Sequence, residues 1–331
     1  MKSRTSSCRK TLGLGVVLFL VWGPFAHADS IFVSDAADGT ILSFDSSGNE
    51  SVFASGLNQP AGLVFGNNGD LYVANAGDGT ILRFTAGGAA SVFASGLNDP
   101  TGLAVDGSGN LFVADSGAGT ILQFNASGNG SAFASGLFRP AYLAFDNQGN
   151  LYATTSQSIL KFDSGGTPST IYSALNNLGG IAFNSAGELY ITLQNAGSIV
   201  RLSNGVAANA VAFSDPLHTE PTGLAFDSSD NLDVAFGGVN GAYNPMGGDI
   251  EQYGSGGTGN LIASGLINPL YLTVQNTGNI RPVEFVPEPS TYAMAMVALG
   301  VLLVVRCWRQ HWFRPALSRQ SVLRKRSDRL S

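Results

Sequence analysis

The sequence has almost no cysteine, little histidine and few basic residues in its central part. Its two cysteines, Cys8 and Cys307, lie near the ends, so the region between them holds together by packing without disulfides. Histidine occurs three times, and only His218 lies between residues 29 and 290. One histidine without cysteine cannot form a typical zinc site, and a histidine-assisted nucleophile needs a positioned partner. The composition therefore argues against zinc chemistry and histidine-based catalysis.

Positive charge is scarce in the same region. Between residues 29 and 290, five Lys or Arg accompany 22 Asp or Glu, which gives a net charge of −17. The other basic residues lie at the two ends, four before residue 11 and eight after Val305. A surface this acidic repels nucleic acid and anionic lipid, so we expect no nucleic-acid partner. It could attract divalent cations, although solubility is the simpler reason for the charge.

The N-terminal end has the pattern of a secretory signal peptide. Basic residues precede an apolar run from Leu12 to Trp22, and Ala26-His27-Ala28 forms a small-x-small cleavage site. We expect export by the Sec pathway and cleavage before Asp29. An uncleaved N-terminal anchor is the alternative.

A repeat of about forty residues fills the region from Ser30 to Asn279. The segments that begin at Leu71, Leu111 and Leu151 are near copies of one another and start 40 residues apart. A period of this length, with several short apolar runs in each unit, is typical of propeller blades.

The number of runs predicts how the ring closes. Each unit carries four short runs, which we label a to d, and there are six of each kind. The mature chain begins on a b strand at Ile31 and ends on an a strand, Pro269 to Val274, which can complete the first blade. We therefore predict an all-β fold, a six-bladed β-propeller with four-stranded blades, closed by the C-terminal strand pairing with the N-terminal blade. Closure of this kind leaves no open sheet edge.

The motif of each unit, seen best in Pro100 to Asp106 and Gly109 to Asp115, resembles the NHL repeat. The resemblance implies a six-bladed propeller, and such propellers include scaffolds, binding proteins and enzymes. Relatives of the gluconolactonase type imply metal ligands at the x of Pro-x-Gly. In this sequence these positions hold residues that do not suit Ca²⁺: Ala61, Thr101, Ala141, Gly179, Thr222 and Leu270.

We therefore expect no cofactor and lean away from an enzyme. The turns rich in Asp and Asn leave a structural calcium ion open, but they lack an ordered series of carboxylates. Turn chemistry explains them better, because Asp and Asn bond their own backbone in such turns.

Two long connections in the sixth blade form a candidate binding face. One contains His218 and Glu220, and the other contains Tyr243 and Asn244. Insertions on one face of a repeat protein often bind ligands, whereas sequence drift in the last blade is the alternative.

Two tyrosines replace the motif glycine in blades that lie opposite each other. Tyr142 and Tyr271 either line the mouth of the central channel or pack between blades, and packing is the simpler explanation. We include both in the candidate binding face.

The C-terminal end carries Val286, Pro287, Glu288 and Pro289, then an apolar stretch from residue 292 to 305 and a basic tail. This order resembles a PEP-CTERM sorting signal. The resemblance implies an exosortase-type partner, tethering to the inner membrane through a C-terminal helix, and transfer to the cell surface or medium. A permanent anchor that holds the propeller in the periplasm is the alternative, because 14 apolar residues are fewer than the ~20 that usually span a bilayer.

The sequence thus divides into a signal peptide (1–28), a propeller (29–285) and a sorting segment (286–331). We expect a non-catalytic binding or scaffold protein of an extracellular matrix or exopolysaccharide, with a protein or polysaccharide ligand. A metal-dependent hydrolase, lactonase or lyase is the alternative.

Overall fold

The computed structural model describes residues 29–275, apart from residues 86–88, 174–176, 204–205, 215–219, 238–247, 255–256 and 258. These ranges contain 24 β-strands and two single-turn 3-10 helices, Ala76–Asp78 and Gln194–Ala196. Neither helix in this part of the chain is long and apolar enough to cross a membrane.

The strands form six antiparallel sheets of four strands, each of which is one blade. Blade I contains β1 (Ser30–Asp35), β2 (Thr40–Phe44), β3 (Glu50–Ala54) and the innermost strand β24 (Pro269–Gln275). Blade II contains β4 (Pro60–Phe65), β5 (Leu71–Asn75), β6 (Thr80–Phe84) and β7 (Ala90–Ser95). Blade III contains β8 (Pro100–Val105), β9 (Leu111–Asp115), β10 (Thr120–Phe124) and β11 (Gly130–Ala134).

In blades IV to VI, as in blades II and III, the strands follow chain order from the innermost to the outermost. Blade IV contains β12 (Leu143–Phe145), β13 (Leu151–Thr154), β14 (Ser158–Phe162) and β15 (Pro168–Ser173). Blade V contains β16 (Leu178–Phe183), β17 (Leu189–Leu193), β18 (Ser198–Ser203) and β19 (Val206–Ser214). Blade VI contains β20 (Pro221–Phe226), β21 (Leu232–Phe236), β22 (Gly248–Tyr253) and β23 (Gly259–Leu266).

The predicted ring closure is confirmed. Strand β24 pairs antiparallel with β1, so that Ser30 lies opposite Gln275. The Asp35 carboxylate strengthens the junction by accepting hydrogen bonds from the backbone N–H groups of Ile267 (2.9 Å) and Asn268 (3.2 Å). The two ends of the described chain therefore meet in one blade.

The turns between a and b strands use their carboxylates internally. Asp106 Oδ1 accepts hydrogen bonds from the N–H groups of Ser108 (2.8 Å) and Asn110 (2.9 Å), and Asn110 Nδ2 donates to Asp106 Oδ2. Gly109 takes a φ of 82°, which an L-residue rarely adopts. Blades IV and VI repeat the arrangement at Asp146 and Asp227.

Aromatic side chains join neighbouring blades, as the recurring phenylalanines predict. Phe53 of blade I contacts Phe84 of blade II, with ring centroids 5.4 Å apart. Phe133 of blade III contacts Phe162 of blade IV at 5.8 Å. Such pairs add to the free energy gained by burying their apolar area.

The motif glycine of the innermost strand lets blades approach each other. A Cβ atom on Gly62 would lie 2.1 Å from the carbonyl oxygen of Thr101, and one on Gly102 would lie 2.0 Å from that of Ala141. A larger residue at this position therefore requires the neighbouring backbone to lie farther away. Tyr142 and Tyr271 hold this position in blades IV and I.

Candidate functional site

Tyr142 and Tyr271 meet inside the central channel. Their rings stack with centroids 4.2 Å apart and an interplanar angle of 25°. Blades IV and I lie opposite each other, so the pair bridges the channel. The Tyr142 hydroxyl donates a hydrogen bond to the carbonyl oxygen of Leu270 (3.2 Å). Both rings also pack against apolar clusters of the blade interfaces, so the structure combines the two roles considered for them.

The two phenols are neutral at physiological pH. Desolvation in the channel raises the pKa of Tyr142 and of Tyr271 above the ordinary value for tyrosine. Both hydroxyls thus keep a proton that they can donate. The pair acts as an aromatic bridge with polar ends.

The tyrosine pair separates two cavities. The lower chamber has a volume of about 300 Å³ and is lined mainly by apolar residues of the innermost strands, such as Leu103, Phe145 and Leu224. The upper chamber has a volume of about 390 Å³ and lies at the start of those strands. Its lining combines polar and apolar residues: Ala36, Ala37, Gln59, Ala61, Ala76, Asp99, Thr101, Asn268 and Leu270, together with the two tyrosines.

Four of the five residues that directly precede a motif proline form a strained rim. Gln59, Asp99, Arg139 and Glu220 have φ values of 51°, 58°, 49° and 73°. An L-residue pays about 1–2 kcal/mol in this region, and a following proline restricts the backbone further. Glycine would adopt the same conformation with less strain. The sequence nevertheless keeps four polar side chains here, and Gln59 and Asp99 line the upper chamber.

Carboxylate and amide groups at the ends of the b strands hold this rim in place. Asn75 Oδ1 accepts a hydrogen bond from the N–H of Asn58 (2.8 Å), and Asp115 Oδ1 accepts one from the N–H of Asn98 (2.8 Å). Burial raises the pKa of the Asp115 carboxyl. These side chains support the loops that carry Gln59 and Asp99.

The x positions of the Pro-x-Gly motif also serve the ring. The Thr101 hydroxyl lies 3.2 Å from the carbonyl oxygen of Ala141 in the next blade, and the Thr222 hydroxyl donates to that of Pro269 (2.9 Å). Within the described ranges, no three His, Cys, Asp or Glu side chains are grouped so that they could hold a metal ion.

The other predicted site residues are placed as follows. Glu220 lies in the strained rim, where its carbonyl oxygen accepts a hydrogen bond from the N–H of Gly237 (3.1 Å). His218, Tyr243 and Asn244 lie outside the described residues, as do Val286, Pro287, Glu288 and Pro289. Sequence reasoning missed Gln59, Asp99 and Asn268, although all three directly precede a motif proline.

A second unusual group lies where blade VI meets blade I. Asp233 is fully buried, and Gln252 Nε2 donates a hydrogen bond to its Oδ1 (2.9 Å). Its Oδ2 has no hydrogen-bond partner among the described residues. Burial raises the pKa of Asp233 to about 7, and the nearby charges of Asp227 and Asp29 add to the shift. The other five blades carry an aromatic residue at this position: Phe32, Tyr72, Phe112, Tyr152 and Tyr190.

Asp233 makes a testable contribution to pH dependence. The folded-state pKa of this acid is raised, so its contribution favours folding at low pH and is lost as the pH rises from about 4 to about 7. This loss amounts to at most about 4 kcal/mol of unfolding free energy in a chain that still carries residues before Asp29. The substitution Asp233→Asn should abolish it. Urea unfolding of both proteins at pH 4.5 and 7.5 measures the difference. Parallel pH profiles would contradict the assignment.

Comparisons with known families agree with this architecture. Residues 97–124 match the NHL repeat, and residues 285–310 match the PEP-CTERM protein-sorting motif. The six-bladed propeller thus contains an NHL repeat, and a PEP-CTERM protein-sorting motif follows it in the sequence. The motif marks this propeller as an exported protein. No curated protein matches its sequence significantly.

Solved structures with the same fold include two lyases. A streptogramin B lyase superimposes with a TM-score of 0.55 and 14% identity, over 74% of this chain and 90% of the lyase. Virginiamycin B lyase from Staphylococcus aureus gives 0.53 and 13%, over 70% and 80% of the two chains. A candidate gluconolactonase gives 0.56 and 12%, over 70% and 92%. At these identities the likeness shows the fold alone.

Proposed function

We propose that this exported propeller is a non-catalytic binding protein whose upper chamber holds the end of a neutral, hydroxyl-rich ligand such as a polysaccharide. The strained polar rim above the tyrosine pair carries the proposal. Backbone strain is retained where surrounding structure enforces it, and it concentrates at functional sites. Glycine would relieve the strain at these positions, but the chain has Gln59 and Asp99 there, and their side chains line the upper chamber.

The chemistry of the chamber favours hydroxyl groups. A hydroxyl both donates and accepts hydrogen bonds, and the amides of Gln59 and Asn268 offer both functions. The Asp99 carboxylate accepts hydrogen bonds, and the two tyrosines complete the lining. A few polar groups placed around an apolar surface are typical of a ligand pocket.

The charge of the propeller favours a neutral ligand. The net charge of −17 between residues 29 and 290 repels anionic polymers at moderate ionic strength. A volume of about 390 Å³ falls within the range of small-molecule pockets, so one or two sugar units could enter.

A lyase or lactonase is the second candidate, favoured by the shared fold. A histidine-to-alanine variant of the virginiamycin B lyase is catalytically inactive. The propeller region of this chain contains one histidine, His218. If the protein were a lyase of that kind, we would expect His218→Ala to abolish turnover.

Titration calorimetry of the mature chain (29–331) in detergent separates these functions. The probes are neutral gluco-, galacto- and manno-oligosaccharides of three to six units, with polygalacturonate as the anionic control. We expect saturable binding of a neutral series, weak binding of the anionic polymer, and no new products by mass spectrometry. Formation of a product from the oligosaccharides, from a lactone or from streptogramin B would show that the protein is an enzyme. Absence of binding to every neutral series would overturn the proposed ligand class.

The sorting motif gives a separate prediction about location. We propose that an exosortase-type enzyme removes the C-terminal segment, so the mature propeller reaches the cell surface or medium. Glu288→Ala should then leave the full C-terminus attached and hold the protein in the inner membrane. Mass spectrometry of the native C-terminus checks this, with Glu284→Ala as the matched control. A native protein that retains Ser331 in the inner membrane would establish the permanent anchor instead.

A further inference from the structure

The N-terminal end of the propeller, at Asp29, lies at the interface between blades VI and I, which we call the closing seam. At other seams, neighbouring a-to-b turns bond each other: Asn67 Nδ2 lies 3.3 Å from the carbonyl oxygen of Asp106, and Asn147 Nδ2 donates to that of Ser185 (3.0 Å). Blade I has no such turn, because its a and b strands come from opposite ends of the chain. Asp29 takes that place.

Asp29 connects directly to blade VI. Its Oδ2 accepts a hydrogen bond from the N–H of Ser228 (2.8 Å), in the turn that begins at Asp227. Gln252 Nε2 lies 3.3 Å from Asp227 Oδ2 and 2.9 Å from Asp233 Oδ1, so one amide bridges the two acids. Asp29, the predicted first residue of the mature chain, therefore lies beside this acidic group.

The closing seam concentrates negative charge. The ionisable groups that influence Asp233 are Asp227 on its own blade and Asp29 on blade I, and both raise its pKa. Three basic residues of other blades pair within their own blade: Arg83 with Asp70, Lys161 with Asp146 and Arg201 with Glu188. A buried carboxylate is costly unless a positive charge accompanies it.

We propose that removal of the signal peptide supplies this charge: the α-ammonium group created on Asp29 pairs with the carboxylates of Asp227 and Asp233 and stabilises the closed ring. Hydrolysis of the bond between Ala28 and Asp29 consumes one water molecule. It leaves a carboxylate on the released peptide and an ammonium on the propeller. In the precursor the same nitrogen is a neutral amide. Processing thereby strengthens the seam on which closure depends.

The pH dependence follows from the sign of the interaction. An α-amino group has an ordinary pKa of about 7.7–8.0, and neighbouring carboxylates raise it in the folded state. The stabilisation is therefore fully present below about pH 7.7, provided that the carboxylates are ionised, and it disappears as the pH rises through the folded-state value. It should be greatest near neutral pH.

Thermal unfolding in detergent tests the proposal on two mature chains. One begins at Asp29 with a free amine, and the other is acetylated on that amine, which restores the neutral amide. We expect the free form to melt about 2–4 °C higher at pH 7.5, and the difference to shrink by pH 10. The difference should vanish in the double variant Asp227→Asn/Asp233→Asn, whereas Asp106→Asn in the matching turn of blade III should preserve it.

Two results would overturn the proposal. One is equal melting of the free and acetylated chains at pH 7.5. The other is a difference that survives in the double variant, which would show that another contact of the N-terminus is responsible. N-terminal sequencing of the exported protein supplies an independent check, because a first residue other than Asp29 would move the ammonium away from the seam.

Discussion

A chain that lacks residues 268–279 should lose its cooperative unfolding transition and aggregate. The deletion removes β24, the innermost strand of blade I, and exposes the edge of β1 along its length. It also removes Tyr271, the partner of Tyr142 in the channel, and the N–H of Asn268, which donates a hydrogen bond to Asp35. Because blades bury their faces against neighbours, loss of one innermost strand weakens two interfaces.

A chain that ends at Phe285 is the matched control. It retains all 24 strands and should melt as cooperatively as the longer chain. Circular dichroism and scattering during heating compare the three proteins. If the deletion variant kept the melting temperature of the control, β24 could not be the strand that closes the ring.

Replacing the channel tyrosines should have the second-largest effect. Tyr142→Ala and Tyr271→Ala each remove an aromatic ring that stacks on its partner and packs on a blade interface. Truncation of large core aromatics costs about 3–5 kcal/mol, and these rings are only half-buried, so about 2–3 kcal/mol is expected for each. The two substitutions should be coupled by about 1 kcal/mol, because each removes the partner of the other.

The phenylalanine variants separate the ring from its hydroxyl. Tyr142→Phe keeps the stack and removes the donor to the Leu270 carbonyl, so a loss of about 1 kcal/mol is expected. Urea unfolding of the single and double variants gives the coupling free energy. Additive alanine substitutions would show that the rings do not support each other across the channel.

Most of the fold could be predicted from the sequence, because the repeat places equivalent residues at a fixed spacing. The position of Pro269 to Val274 after five complete blades was enough to predict closure, since a propeller with an incomplete blade would expose an edge. The phenylalanines between blades were also predictable, because Phe53, Phe93 and Phe133 recur in the same strand of three consecutive units.

The candidate site was harder to predict, because its geometry depends on contacts across the ring. Tyr142 and Tyr271 were recognised as departures from glycine, but their stacking depends on two blades facing each other across a narrow channel. The strain at Gln59 and Arg139 has no compositional signal, since neither residue type favours positive φ. Asp233 departs from an aromatic column of the repeat, yet its burial and its neighbours required the structure.

The most direct test of the account measures ligand binding by variants of the strained rim. Gln59→Gly and Asp99→Gly remove chamber side chains where glycine suits the backbone, so both variants should fold at least as stably as the native chain. Arg139→Gly relieves the same strain but lies outside the chamber lining, which makes it the matched control. Calorimetric titration with the neutral oligosaccharide that binds best should show at least tenfold weaker binding for the two chamber variants and native affinity for Arg139→Gly. Native affinity in all three would contradict binding in the upper chamber.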